Sequence, residues 1–321
     1  MDQSAPVSVA VGRASPGALL ELLKPITWFP PMWAFLCGWV SAGPGSGISG
    51  WALLAGMTLT GPLVCGASQV VNDWYDRDVD ALNEPHRPIP SGRAPGNVAL
   101  WFAMLWTLIA QTWALMLGPW VAAATFIGLL LAWAYSAPPL RLKLNGWWGN
   151  SAVALSYEGL AWITGAAIVL GGDLPPTPIL IIALLYSVGA HGIMTLNDFK
   201  SVEGDLKMGI RSLPAQLGRE RAAKLACVFM LLPQIVVIAL LLHWQLAPYA
   251  AAVTVVVAAQ CLAMKRLLSD PKELAPWYNA TGVSLYVLGM MGAAIGLGGW
   301  FACSSPQILR QQGSAGGTLS G

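Results

Sequence analysis

Asn72, Asp76 and Asp80 fall at i, i+4 and i+8, so on a helix their side chains share one face. Asp73 lies beside them, Asp78 points elsewhere, and Glu84 follows in the same window. Like charges at this spacing destabilise a helix, and acids at its C-terminal end oppose its dipole. Local propensity therefore does not account for the cluster, whereas a bound cation does. The donors are all oxygens, with no Cys or His among them, a set that selects a hard metal, Mg²⁺ before Ca²⁺.

A second acidic window, "NDFKSVEGD", brings Asp198, Glu203 and Asp205. Together the two windows hold eight of the fifteen acids of the chain, so they are not scattered solvated turns. Mg²⁺ takes one or two carboxylates and completes its octahedron with water and substrate phosphates. Two facing clusters could thus hold one or two ions with a diphosphate between them. Arg87, Arg93, Arg141, Lys143, Lys200 and Arg211 lie near these windows in sequence and would cover the remaining phosphate charge.

The elements that position these residues are apolar. Of 321 residues 56% are hydrophobic and 10% charged, against about 25% charged in soluble domains. Apolar runs of about 17–25 residues, long enough to cross a bilayer as helices, recur from end to end. Nine spans are expected, near 26–42, 51–71, 98–117, 120–137, 148–170, 178–196, 222–243, 248–264 and 278–301. "GALLELLK" before the first reads as an interfacial helix. The expected organisation is a flexible N-terminus (1–17), one membrane domain (18–301) and a disordered tail (302–321).

With nine spans, sixteen of the seventeen Lys and Arg residues fall on one side and Arg310 on the other. The positive-inside rule makes that side cytoplasmic, with the N-terminus and both acidic windows on it. The five cysteines show no C-x-x-C spacing and read as packing residues. The acidic windows lie 125 residues apart from Asn72 to Asn197, as two facing sub-bundles would place them.

N-D-x-x-D-x-x-x-D followed by "EPHRPIPSG" resembles the first motif of the UbiA superfamily of intramembrane prenyltransferases. "NDFKSVEGDLKMGIRSLP" is similar to the second motif in its chlorophyll-synthase branch. "LLKPITWFPP", "AWAYSAPPLRLKLNGWWG", "GAHGIMTLNDFK" and "PWYNATGVSLYVLGMMGA" extend the likeness from about residue 19 to 299. The resemblance implies an all-α membrane fold of nine helices around a central cavity. It further implies Mg²⁺-dependent transfer of a C20 prenyl group, from geranylgeranyl or phytyl diphosphate, to the propionate of bacteriochlorophyllide a, with chlorophyllide as the alternative acceptor. No nucleic acid is implied, and the site would lie in a bacterial inner or intracytoplasmic photosynthetic membrane.

Carried over by position, Asn72, Asp76, Asp80 and Asp205 fall on metal-diphosphate positions, with Asp198 and Asp73 beside them. Arg141 and Lys143, after Tyr135, match basic positions that contact diphosphate. One departure is Ser201, where many relatives have Asp, which leaves Asp198 or Glu203 to supply the carboxylate. Two polar residues within apolar spans, Glu158 and His191, are expected at the substrate, His191 as a ligand of the tetrapyrrole's central metal or as a packing residue. Trp147, Trp148 and Trp162 are candidates for ring stacking or interfacial anchoring. A non-catalytic pigment-binding protein would leave the paired acidic and basic clusters without a role, whereas a transporter of an anionic lipid would share the two-half architecture. Release of diphosphate with Mg²⁺, donor and acceptor separates an enzyme from both.

Overall fold

A computed structural model of the chain describes residues 14–43 and 49–315. Among them every regular element is helical, and the one extended contact is a backbone bridge between Asn145 and Arg211. Helix α1 (Pro16–Leu22) starts at Ser15, whose Oγ accepts from the Ala18 amide at 3.2 Å. A 3₁₀ turn (Pro25–Thr27) leads into α2 (Phe29–Ser41). Then come α3 (Gly50–Asn83), α4 (Asn97–Leu117), α5 (Pro119–Ser136), α6 (Gly146–Val169) and α7 (Thr177–Lys200). Short α8 (Val202–Met208) and α9 (Leu213–Leu217) precede α10 (Arg219–His243), α11 (Ala247–Leu267) and α12 (Pro271–Ala315).

Eight of these helices, α3 to α7 and α10 to α12, are long and apolar enough to cross a bilayer. The first of the nine expected spans is α2, which has 13 residues. At 1.5 Å per residue it covers about 20 Å, short of a hydrocarbon core of about 30 Å. The cause is local: Pro30 and Pro31 are tolerated in the first turn but not deeper, so the helix begins only at Phe29. Residues 1–13 of the expected flexible N-terminus and 316–321 of the expected tail lie outside the described residues. The helical backbone of α12 runs past the expected boundary at 302 to Ala315.

α1 is more than an interfacial helix. Leu22 and Leu23 are buried against Val70 and Val71 of α3 and Ala99 and Ala103 of α4. A larger core joins α2, α6, α7, α10, α11 and α12, centred on Trp162, which stacks on Tyr186 at 5.7 Å. α2 and α6 approach closely through glycines, as small residues permit in membrane helix pairs. A Cβ at Gly38 would lie 1.9 Å from the Trp162 carbonyl oxygen, and one at Gly165 would lie 2.1 Å from that of Phe35.

Two helices carry a π-helical segment, α3 at Leu59–Cys65 and α6 at Leu155–Leu160. In α3 the cause is Pro62, which cannot donate to the helical ladder. Both segments border the same interior cavity, whose walls come from α3, α5, α6, α7 and the start of α2. α4, α10, α11 and α12 pack behind these walls. They carry outward apolar residues such as Trp101, Leu108 and Leu262, 66%, 64% and 73% exposed, on surfaces suited to lipid.

Candidate active site

The acids at the end of α3 become a site because the helix runs twelve residues beyond the expected end of its span, to Asn83. Asn72, Asp76 and Asp80 line one polar cavity of about 660 Å³. Arg87 joins from the loop after α3, and Arg141 and Lys143 from the connection between α5 and α6. Asn150 comes from α6, Asp198 from the last turn of α7, and Asp205 and Ser212 from the segment beyond it. Backbone bonds from Gly146 N to Arg211 O (2.8 Å) and from Arg211 N to Leu144 O (2.9 Å) tie the two basic connections together. Beside it, an apolar cavity of about 560 Å³ extends between α3, α5, α6 and α7. Asn72, Tyr135, Asp198 and Ser201 line both cavities and mark their junction.

Each carboxylate is held in place. Lys143 Nζ donates to Asp76 at 2.5 Å, and Asn72 Nδ2 donates to the other Asp76 oxygen at 3.1 Å. Arg87 donates to Asp80 at 2.8 Å and to Glu84. Asn150 donates to Asp198 at 3.2 Å, while Ser201 and Ser212 donate to Asp205 at 3.1 and 2.6 Å. Burial lowers the Lys143 ammonium below the usual lysine range, with Asp76 opposing that shift. Burial would also lower Arg87, but its bond to Asp80, with Asp73 and Glu84 behind, outweighs it and leaves the guanidinium above the ordinary arginine value. Arg141 lines the polar cavity with a buried Nε that has no hydrogen-bond partner among the described residues. Such an orphaned donor calls for an anion.

The carboxylates also fit a divalent cation. Asp76, Asp80, Asp198 and Asp205 present oxygen donors to one cavity from two sides, the chemistry a hard ion needs. Among the described residues no three acidic, His or Cys side chains already converge as ligands. The positions nearest the acids are taken instead by the Lys143 and Arg87 cations.

Four expected site residues lie elsewhere. Asp73 lines neither cavity; it is 3% exposed and bonded to Lys24 at 2.6 Å, with Arg87 at 3.6 Å, because one residue's rotation from Asn72 turns it off the cavity face. Arg93 forms a forked pair with Glu21 of α1 at 2.6 and 3.0 Å. Arg211 contributes its backbone, and its side chain is exposed. His191 is turned away as well, since α7 presents Ala190, Ile193, Met194 and Asn197 to the apolar cavity. Its Nδ1 meets Ser151 Oγ at 3.2 Å, and its ring packs against Phe229 and Trp147 with centroids 4.5 and 5.9 Å away. Trp162 is fully buried, with Nε1 donating to Ser41 at 3.0 Å, and stacks on protein. Trp147 and Trp148 are 39% and 67% exposed.

Lys200 and Glu158 do line the apolar cavity. Of the two candidates for the missing carboxylate, Asp198 sits at the junction, whereas Glu203 is exposed and paired with Arg219. Sequence reasoning missed Lys24, Asn150 and Tyr157. Tyr157 lines the apolar cavity, where Gln69, Ser68 and Cys65 meet its hydroxyl at 3.0, 3.2 and 3.3 Å. A lone Asn in an apolar span was the available signal for Asn150.

A polar chamber lined by carboxylates and by Arg87, Arg141 and Lys143, opening into an apolar one inside a helical membrane domain, is the kind of arrangement that an enzyme acting on lipid-like diphosphates requires. The chain belongs to the UbiA prenyltransferase family, whose model matches residues 28–281. It is 57% identical to the bacteriochlorophyll synthase 33 kDa chain of Cereibacter sphaeroides over 88% of this chain and 94% of that one. It is 39% identical to the chloroplastic chlorophyll synthase of Avena sativa, over 86% and 75% respectively. A UbiA homolog from Archaeoglobus fulgidus, solved bound to DMAPP and Mg²⁺, shares the fold with a TM-score of 0.68 at 20% identity, over 87% of this chain and 99% of that one. The chain is thus a membrane prenyltransferase.

Proposed function

We propose that the chain esterifies the propionate of bacteriochlorophyllide a with a C20 prenyl group, geranylgeranyl or phytyl, taken from its diphosphate. The observation that carries this reading is the junction. Asn72, Tyr135, Asp198 and Ser201 stand where a polar, charged chamber meets an apolar one. The 57% identity to a bacteriochlorophyll synthase, against 39% to a chlorophyll synthase, favours bacteriochlorophyllide over chlorophyllide as acceptor.

In the reaction the allylic C–O bond breaks, its electron pair leaves on the diphosphate, and a propionate oxygen bonds to the allylic carbon. Arg141, Lys143 and Arg87 line the chamber in which charge grows on the departing oxygens, and their positive charge stabilises it. Mg²⁺, held by Asp76 and Asp80 on one side and Asp198 and Asp205 on the other, would supply further Lewis-acid neutralisation of that charge. Asn72 and Tyr135 offer oxygens toward the electron-poor allyl group at the junction. The apolar walls of α3, α5 and α6 keep water from intercepting it. The propionate has an ordinary pKa of about 4.3, so it arrives ionised and needs no general base. That agrees with His191, which lines neither cavity.

The orientation belongs to this reading. With α2 counted as a crossing, the sixteen-to-one basic asymmetry supports a cytoplasmic mouth, and the Lys24–Asp73 pair at 2.6 Å keeps the start of α2 beside that mouth. The test mixes reconstituted protein with Mg²⁺, geranylgeranyl diphosphate and equal amounts of both pigments. Esterified bacteriochlorophyll in excess is expected. Excess esterified chlorophyll would reverse the acceptor assignment, and no ester of either would refute the reading.

A further inference from the structure

Glu158 is a carboxyl placed where hydrocarbon is expected. It is 8% exposed, lines the apolar cavity, and forms no hydrogen bond or ion pair among the described residues. The other carboxyl lining that cavity is Asp198, at the junction and engaged by Asn150. Glu158 lies eight residues beyond Asn150 along α6, about 12 Å farther in at 1.5 Å per residue. Two hydroxyls of the same cavity are committed elsewhere: Thr60 and Thr164 bond to Gly56 O and Leu160 O of their own helices, at 3.1 and 2.8 Å. Tyr157 is held by Gln69. A buried carboxyl without a partner is costly, so its retention asks for a ligand.

The backbone points the same way. Glu158 sits within the π-helical segment Leu155–Leu160, and such segments re-aim side chains and mark functional sites. This segment contains no proline, unlike that of α3, so the π turn has no such local cause.

Of the two substrates, the prenyl chain is hydrocarbon throughout and offers a carboxyl nothing. The tetrapyrrole carries carbonyl groups at its edge. Bacteriochlorophyllide a has an acetyl group on ring A where chlorophyllide a has a vinyl, so one can accept a hydrogen bond there and the other cannot. Resting on the acceptor reading above, we propose that Glu158, buried without a paired cation and therefore protonated, donates its O–H to the ring-A acetyl carbonyl and so selects the acceptor. A site built to bond a polar group discriminates against an analogue that lacks it more strongly than an apolar pocket does.

The test compares 3-acetyl and 3-vinyl bacteriochlorophyllide, otherwise the same macrocycle, as acceptors for wild type, Glu158→Gln and Glu158→Leu at saturating donor and Mg²⁺. Wild type is expected to favour the acetyl pigment about tenfold in kcat/KM, and the amide of Glu158→Gln to keep most of that preference. Glu158→Leu should bring the ratio near unity through KM for the acetyl pigment, with KM for the donor unmoved. Equal losses on both pigments, or a loss confined to the donor, would overturn the proposal. If Glu158→Leu does not fold, a wild-type ratio near unity overturns it alone. Esterification of both pigments at equal kcat/KM sinks this inference and leaves the prenyl-transfer reading intact; esterification of neither sinks that reading.

Discussion

Lys143 is the cation whose removal reports most on the chemistry. Its ammonium lies 2.5 Å from Asp76, its side chain is 10% exposed, and it lines the polar cavity. We predict that Lys143→Met has two opposed effects. The departing diphosphate loses one preorganised positive partner, which should slow single-turnover transfer by about 10²–10³, or about 2.7–4 kcal/mol. Asp76 meanwhile loses its competing cation, so the Mg²⁺ concentration giving half-maximal rate should stay the same or fall. Rapid-quench measurement of esterified pigment across a Mg²⁺ series reads both quantities. The pH profile adds a signature. Because burial lowers Lys143, its charge is lost as pH rises through a value below the ordinary lysine pKa of about 10.4. The wild-type rate should decline on that alkaline side, and Lys143→Arg should abolish the decline because guanidinium stays charged. A Lys143→Met rate within threefold of wild type, or a raised Mg²⁺ requirement, would refute this account.

Asp198→Asn should reduce transfer by at least a hundredfold, whereas Glu203→Gln, altering an exposed partner of Arg219, should stay within twofold in the same assay. Gly165→Ala would press a methyl 2.1 Å from the Phe35 carbonyl oxygen, so it should lower the thermal midpoint in detergent by the equivalent of about 1–3 kcal/mol; an unchanged midpoint would show that α2 is not held against α6. In a cysteine-free background, a cysteine at exposed Asn83 should be protected from an impermeant thiol reagent in intact cells and one at exposed Asp173 should react. The reverse pattern would overturn the orientation.

Most of the fold was legible because hydrocarbon length is a one-dimensional signal: α3 to α7 and α10 to α12 follow the apolar runs. α2 was harder, since its proline pair shortens the helix without making its composition more polar. The acidic face of Asn72, Asp76 and Asp80 was equally readable, because i, i+4 spacing carries over directly to a helix surface. What failed was rotation and distance. Asp73 and His191 sit one residue away from cavity-lining neighbours, and a span's sequence shows no face when nearly every side is apolar. Arg93 and Arg211 lie near the motifs in sequence, yet Arg93 is paired with Glu21, and Arg211 is tied through its backbone to Leu144 and Gly146 with its side chain exposed. Lys24 and Asn150 reach their acids across 49 and 48 residues, separations that no local pattern displays.

The central claim is that the propionate oxygen attacks the prenyl carbon. It is tested most directly by following diphosphate release with bacteriochlorophyllide a and with its propionate methyl ester, under saturating Mg²⁺ and geranylgeranyl diphosphate. The account predicts one diphosphate per ester formed with the free acid, and neither product with the methyl ester even where that pigment binds. Prenylation of the methyl ester would contradict it.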